Sequence, residues 1–79
     1  MTAEQAMANF CTNVKRLRRC HGLSKKNMAA ICGIGVATLE RLENGCFPAR
    51  MGAGDMLRLA EHFDLTTQAL LASPSEEMP

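Results

Sequence analysis

The chain contains no tryptophan and no tyrosine, and phenylalanine occurs three times in 79 residues. A core of stacked aromatic and β-branched side chains, the usual filling of a sheet, is excluded. The interior must be leucine, methionine, isoleucine, valine and alanine, which suit packed helices better than strands. No apolar run approaches the ~18 residues of a membrane span, and the N-terminus lacks the basic-then-apolar order of a secretory signal. These absences predict no membrane association and a cytoplasmic location, with Cys11, Cys20, Cys32 and Cys46 as reduced thiols. No C-x-x-C pair is present, so no structural zinc site and no other cofactor is expected. Cys20-His21 with Cys32 is the nearest approach to a ligand cluster. No Ser-His-Asp or Cys-His arrangement suggests nucleophilic catalysis, and the chain is not expected to be an enzyme. His21 and His62 read as surface or packing residues, and Asp55 and Asp64 as cap or turn residues.

Strong net charge is also missing: the formal balance is +1. Its distribution is uneven, however. Lys15, Arg16, Arg18, Arg19, Lys25 and Lys26 fall close together, while Glu76 and Glu77 lie at the far end. Such a basic cluster is as compatible with a solvated helix face as with an anionic partner. The length allows one domain, 1–72, and a core this small is naturally supplemented by dimerisation.

Apolar periodicity predicts five helices. Met7, Phe10, Val14 and Leu17 form one stripe of a first helix, from Met7 to about Cys20, with Asn9, Asn13, Lys15, Arg16 and Arg19 off it. Gly22 ends that helix, and Ser24 caps a second, from Lys25 to about Cys32, with Leu23 stapled on Met28. Gly33 stops it. A third helix begins near Gly35 or Val36, buries Leu39 and Leu42, and ends at Asn44-Gly45 as a left-handed cap pair. A loop over 46–54 precedes a fourth helix, from about Ala53 to Phe63, with Met56, Leu59, Ala60 and Phe63 inward. Thr66 caps a short fifth helix through Leu71. The segment 73–79, polar with two prolines, is expected to be disordered. No segment reads as a strand.

Gly33-Ile34-Gly35 raises a choice between a nucleotide-binding loop and a turn between two helices. The dinucleotide fingerprint needs a preceding strand and a third glycine, and has neither here. The window 25–44 instead carries small Ala29 at its fifth place and Gly33 at its ninth. Met28, Cys32, Ile34, Leu39 and Leu42 fill its apolar positions. A short helix, a tight turn and a second helix crossing the first give a helix-turn-helix.

With "VKRLRRCHGLSKKNMA", "CGIGVATLERLENG" and "MLRLAEHFDLTTQALL", the chain resembles the Cro and phage-repressor type of helix-turn-helix domain found in bacterial transcription regulators. The likeness runs from about Phe10 to Leu71. It implies an all-α, five-helix, lambda-repressor-like domain that binds double-stranded DNA as a homodimer on a two-fold operator. It also implies roles by position. Ser24 and Lys25, at the start of the second helix, would meet a phosphate together with the backbone N–H groups there. Asn44 and the following loop would hold the backbone across the groove. Gly35, Val36, Ala37, Glu40 and Arg41 take the base-facing positions. Arg18 and Glu43 match an ion pair joining the first and third helices.

The chain departs from the family pattern in two places. Family members usually place hydrogen-bonding side chains where this chain has Gly35, Val36 and Ala37. Those residues can touch thymine methyls but cannot bond bidentately to a base, which leaves Arg41 to read guanine edges. Shape and phosphate contacts are then expected to carry more of the binding. The loop 46–54 is longer than usual, and Arg50 within it has no assigned position. The competing expectation is a module of the same scaffold whose main partner is a protein, as in an antitoxin or antirepressor. Ile31, Val36 and Ala37 would then line the interface.

Overall fold

The computed structural model describes residues 1–74, whose regular structure is all helical, with no strand among them. Five helices follow in order: α1 (Ala3–Cys20), α2 (Lys25–Cys32), α3 (Val36–Glu43), α4 (Ala53–His62) and α5 (Thr67–Leu71). Helix α1 packs on α3 and α5, α2 packs on α3 and α4, and α4 closes on α5. One core of Phe10, Val14, Leu17, Met28, Leu39, Leu42, Leu59 and Leu70 lies at the centre of all five.

Local chemistry sets the helix boundaries. Helix α1 begins at Ala3, earlier than apolar periodicity predicts, because Thr2 and Gln5 form a reciprocal cap. Thr2 Oγ1 accepts from Gln5 N at 3.1 Å and Gln5 Oε1 accepts from Thr2 N at 2.9 Å. Met7, expected in the inward stripe, is 45% exposed and lies outside the core cluster. Ser24 caps α2 by accepting from Asn27 N, and Thr66 caps α5 by accepting from Ala69 N.

Four helices end in the same way. The N–H groups of Leu23, Ile34, Cys46 and Leu65 reach back to the carbonyls of Arg18, Ala29, Arg41 and Ala60. Each such bond needs a left-handed residue just before the donor. Gly33, with φ of 73°, supplies it between α2 and α3 and lets the chain reverse within three residues. Asp64 adopts φ of 56° at the end of α4, where most side chains would be strained. After α3 the left-handed residue is Gly45 alone. Asn44, expected to share that conformation, has φ of −93° and closes the helix in a near-helical state.

Asn13 is the largest departure from the sequence expectation. It lies off the apolar stripe of the sequence, yet it is fully buried. Its amide donates to Leu70 O at 2.7 Å and Ala72 O at 2.9 Å, while Asn9 donates to Leu71 O at 3.1 Å. A short helix leaves its last carbonyls without partners, and these two amides supply donors from α1. The segment 46–52 is likewise anchored rather than free. The Phe47 ring meets Phe10 with centroids 5.4 Å apart, and Met51 is buried. The expected disordered tail falls, from residue 75 onward, outside the described residues.

Candidate functional site

Helix α3 sorts its side chains cleanly. Leu39 and Leu42 are fully buried, whereas Val36, Ala37, Glu40 and Arg41 are exposed. Residues four apart stack on one side of a helix, so 36 with 40 and 37 with 41 form one continuous outer face. Gly35 lies exposed at its N-terminal end, in extended backbone. Val36 remains 41% exposed, an apolar side chain beside a charged one.

Helix α2 brings its N-terminus to this face. Lys25 Nζ lies 3.3 Å from Glu40 Oε2, with both side chains about half exposed. The contact ties the first residue of α2 to the middle of α3. In water such a pair is worth little, so it locates the two groups rather than holding the helices together. Ser24 lies one residue earlier, with its hydroxyl oxygen engaged in capping. Asn44 is exposed at the opposite end of α3. The start of α2 and the outer face of α3 therefore adjoin through Lys25 and Glu40, with Ser24 next to Lys25 in the chain and Asn44 exposed at the turn after α3.

Arg18 and Glu43 meet behind that face. Arg18 Nε is 2.7 Å from Glu43 Oε2 and Nη2 is 3.0 Å from Oε1, a bidentate fork between α1 and α3. A third guanidinium nitrogen, Nη1, donates to Leu23 O at 3.3 Å. With side-chain exposures of 15% and 5%, both groups are largely shielded, so they position α3 and are not free to contact a ligand.

Sequence reasoning did not anticipate the Lys25–Glu40 contact or the surroundings of Arg50. Arg50 borders an open cavity with Arg41, Thr38 and the 46–51 loop. No sequence signal linked these residues, because the loop follows no local pattern and is held by Phe47 and Met51 from afar. Cys32 also borders this region. Its thiol is buried, which pushes its pKa up to about 11, with the Glu43 carboxylate adding to the effect. Of the remaining cysteines, Cys20 and Cys46 are exposed and Cys11 is buried, with its thiol pKa raised by burial and then by Cys46. His21 and His62 both pack against Phe63, tilted and edge-on respectively, with centroids 4.9 and 5.0 Å from its ring. Asp55 accepts from Gly52 N and pairs with Arg58, which holds its carboxyl below the usual range.

Among the described residues no helix is long and apolar enough to cross a membrane. No protein-family model matches the chain, and no curated protein or solved structure is significantly similar to it.

Proposed function

We propose that the chain is a helix-turn-helix DNA-binding regulator of the Cro and phage-repressor type, acting in the cytoplasm as a homodimer on a two-fold operator and without catalysis. The observation that carries this reading is the placement of Lys25 against the outer face of α3, 3.3 Å from Glu40. A helix N-terminus with a lysine attracts phosphate, and an exposed helix face beside it fits the major groove. One docking pose thus serves both elements. Ser24, Lys25 and Asn44 flank the duplex backbone, while Gly35, Val36, Ala37, Glu40 and Arg41 approach base edges. Glu40 can accept from cytosine N4 and Arg41 can donate to guanine O6 and N7. Val36 and Ala37 suit thymine methyls.

The protein-binding alternative draws on the same apolar start of α3. Ile31 lends it less than the sequence promised, being half-buried against the core.

Binding titrations on duplexes selected from random DNA, run at several salt concentrations, test the proposal. Lys25→Ala is expected to weaken all sequences alike and to lower the salt slope by roughly one unit. Arg41→Ala is expected to cost about 1–3 kcal/mol on the best site and to relax preference at one base pair per half-site. A wild type that prefers no duplex at low salt overturns the DNA reading.

A further inference from the structure

Between the turn that ends α2, one side of α3 and the 46–51 loop lies an open cavity of about 530 Å³. That volume lies within the roughly 300–1,000 Å³ common for small-molecule sites. Ile34, Phe47, Pro48 and Met51 provide apolar wall, and Arg41, Arg50 and Asp55 provide charge, two cations against one anion. Carboxylates in and around this region are already engaged: Glu43 with Arg18, Glu40 with Lys25, and Asp55 with Arg58. Neither Arg41 nor Arg50 forms an ion pair with any described residue. The cavity therefore combines an apolar wall with two guanidinium groups that pair with no described carboxylate, and the one carboxylate on its lining, Asp55, is engaged by Arg58.

We propose that this cavity binds a small amphipathic carboxylate. The head group would accept from the guanidinium forks of Arg41 and Arg50, the geometry that planar carboxylates favour. A short hydrocarbon body would lie against Phe47, Pro48 and Met51. Cys32, which borders the cavity, stays protonated at neutral pH, and the Asp55 carboxylate is offset by Arg58. Arg41 belongs both to the cavity and to the outer face of α3. A carboxylate held there removes a cation from the surface proposed to meet DNA, so ligand and duplex oppose each other, and by linkage the opposition is reciprocal. The site stands without the DNA reading; the antagonism rests on it.

Hexanoate is a suitable test ligand, with acetate and hexanol as its two halves. In amide-shift titrations of the full chain, hexanoate is expected to give saturable shifts at Ile34, Thr38, Phe47 and Met51. Acetate and hexanol are each expected to bind at least about tenfold more weakly, and Arg50→Ala to weaken hexanoate about tenfold, as loss of one charge-assisted contact implies. Arg50 is exposed, so the variant should melt as the wild type does. Equal binding of acetate reduces the site to a surface anion contact. Equal binding of hexanol, shifts elsewhere, or an unaffected Arg50→Ala overturns the proposal. In a second arm, saturating hexanoate is expected to weaken duplex binding by the wild type. Unchanged duplex affinity with hexanoate bound overturns the antagonism. A chain that binds hexanoate but no duplex fails the DNA reading alone, because the first arm reads the site independently.

Discussion

Both carboxylate oxygens of Glu43 accept from one guanidinium, at 2.7 and 3.0 Å, and the Glu43 side chain is 5% exposed. Removing one partner from such a pair leaves the other desolvated and unmatched, a loss of about 3–5 kcal/mol for fully buried pairs. Arg18 keeps some contact with water, so Glu43→Ala is expected to cost about 3 kcal/mol in denaturant unfolding. A change below about 0.5 kcal/mol would mean that the pair acts as a surface bridge. Cys32 contributes differently. Its thiol binds its proton more tightly in the folded protein, near pKa 11 against an ordinary 9.0. As pH rises past 9 the unfolded chain loses this proton first, so ionisation favours unfolding until the folded thiol also titrates. Stability supplied by this group is complete below pH 9 and is lost between about 9 and 11. Melting curves of Cys32→Ala are expected to fall less steeply across that window than those of the wild type. At pH 7 a thiol reagent is expected to modify Cys20 and Cys46 and to spare Cys32.

At the scale of elements, α5 is the segment most dependent on others. Five residues cannot sustain a helix alone, and its C-terminal carbonyls are satisfied from α1 by Asn9 and Asn13. Asn13→Ala strands the Leu70 carbonyl in a buried place and opens a gap beside it. The expected loss is about 2 kcal/mol. Hydrogen exchange separates this local effect from a general one: α5 amides should exchange faster at protein concentrations and pH where α2 and α3 are unchanged. Uniform acceleration across all helices would mean that α5 does not open by itself. The α2–α3 pair is built on the opposite principle. Its cap at Ser24, its left-handed glycine and its inward Met28, Cys32, Leu39 and Leu42 all lie within twenty residues or so of one another, so local preference and tertiary packing favour the same geometry.

At the scale of the whole molecule, the five helices close one core within a single chain, leaving α3's outer face and Leu57 of α4 open to solvent. The proposed two-fold operator requires a second copy, and association of folded chains stabilises them by mass action. The melting temperature is expected to rise with protein concentration, and sedimentation should detect a species of twice the 8.6 kDa chain mass. A concentration-independent melting temperature and a single-chain mass would leave a monomer, whose operator would have one half-site.

What the sequence determined by itself was whatever depends on near neighbours. The helix order, the caps at Ser24 and Thr66, the turn at Gly33 and the inward set of α3 follow from spacings of three to ten residues, where backbone geometry leaves few choices. Even the early start of α1 was legible, in Thr2-Ala3-Glu4-Gln5. Only tertiary structure decided matters of distant contact. Asn13 is polar and read as surface until Leu70, 57 positions away, supplies the carbonyl that justifies its burial. Phe47 and Met51 anchor a loop with no period of its own, and by doing so bring Arg50 to the same cavity as Arg41. Lys25 and Glu40 lie 15 positions apart on different helices, and their contact depends on how α2 crosses α3. Hydrophobic pattern specifies which side of a helix turns inward, but the polar partner a side chain meets depends on how the helices pack.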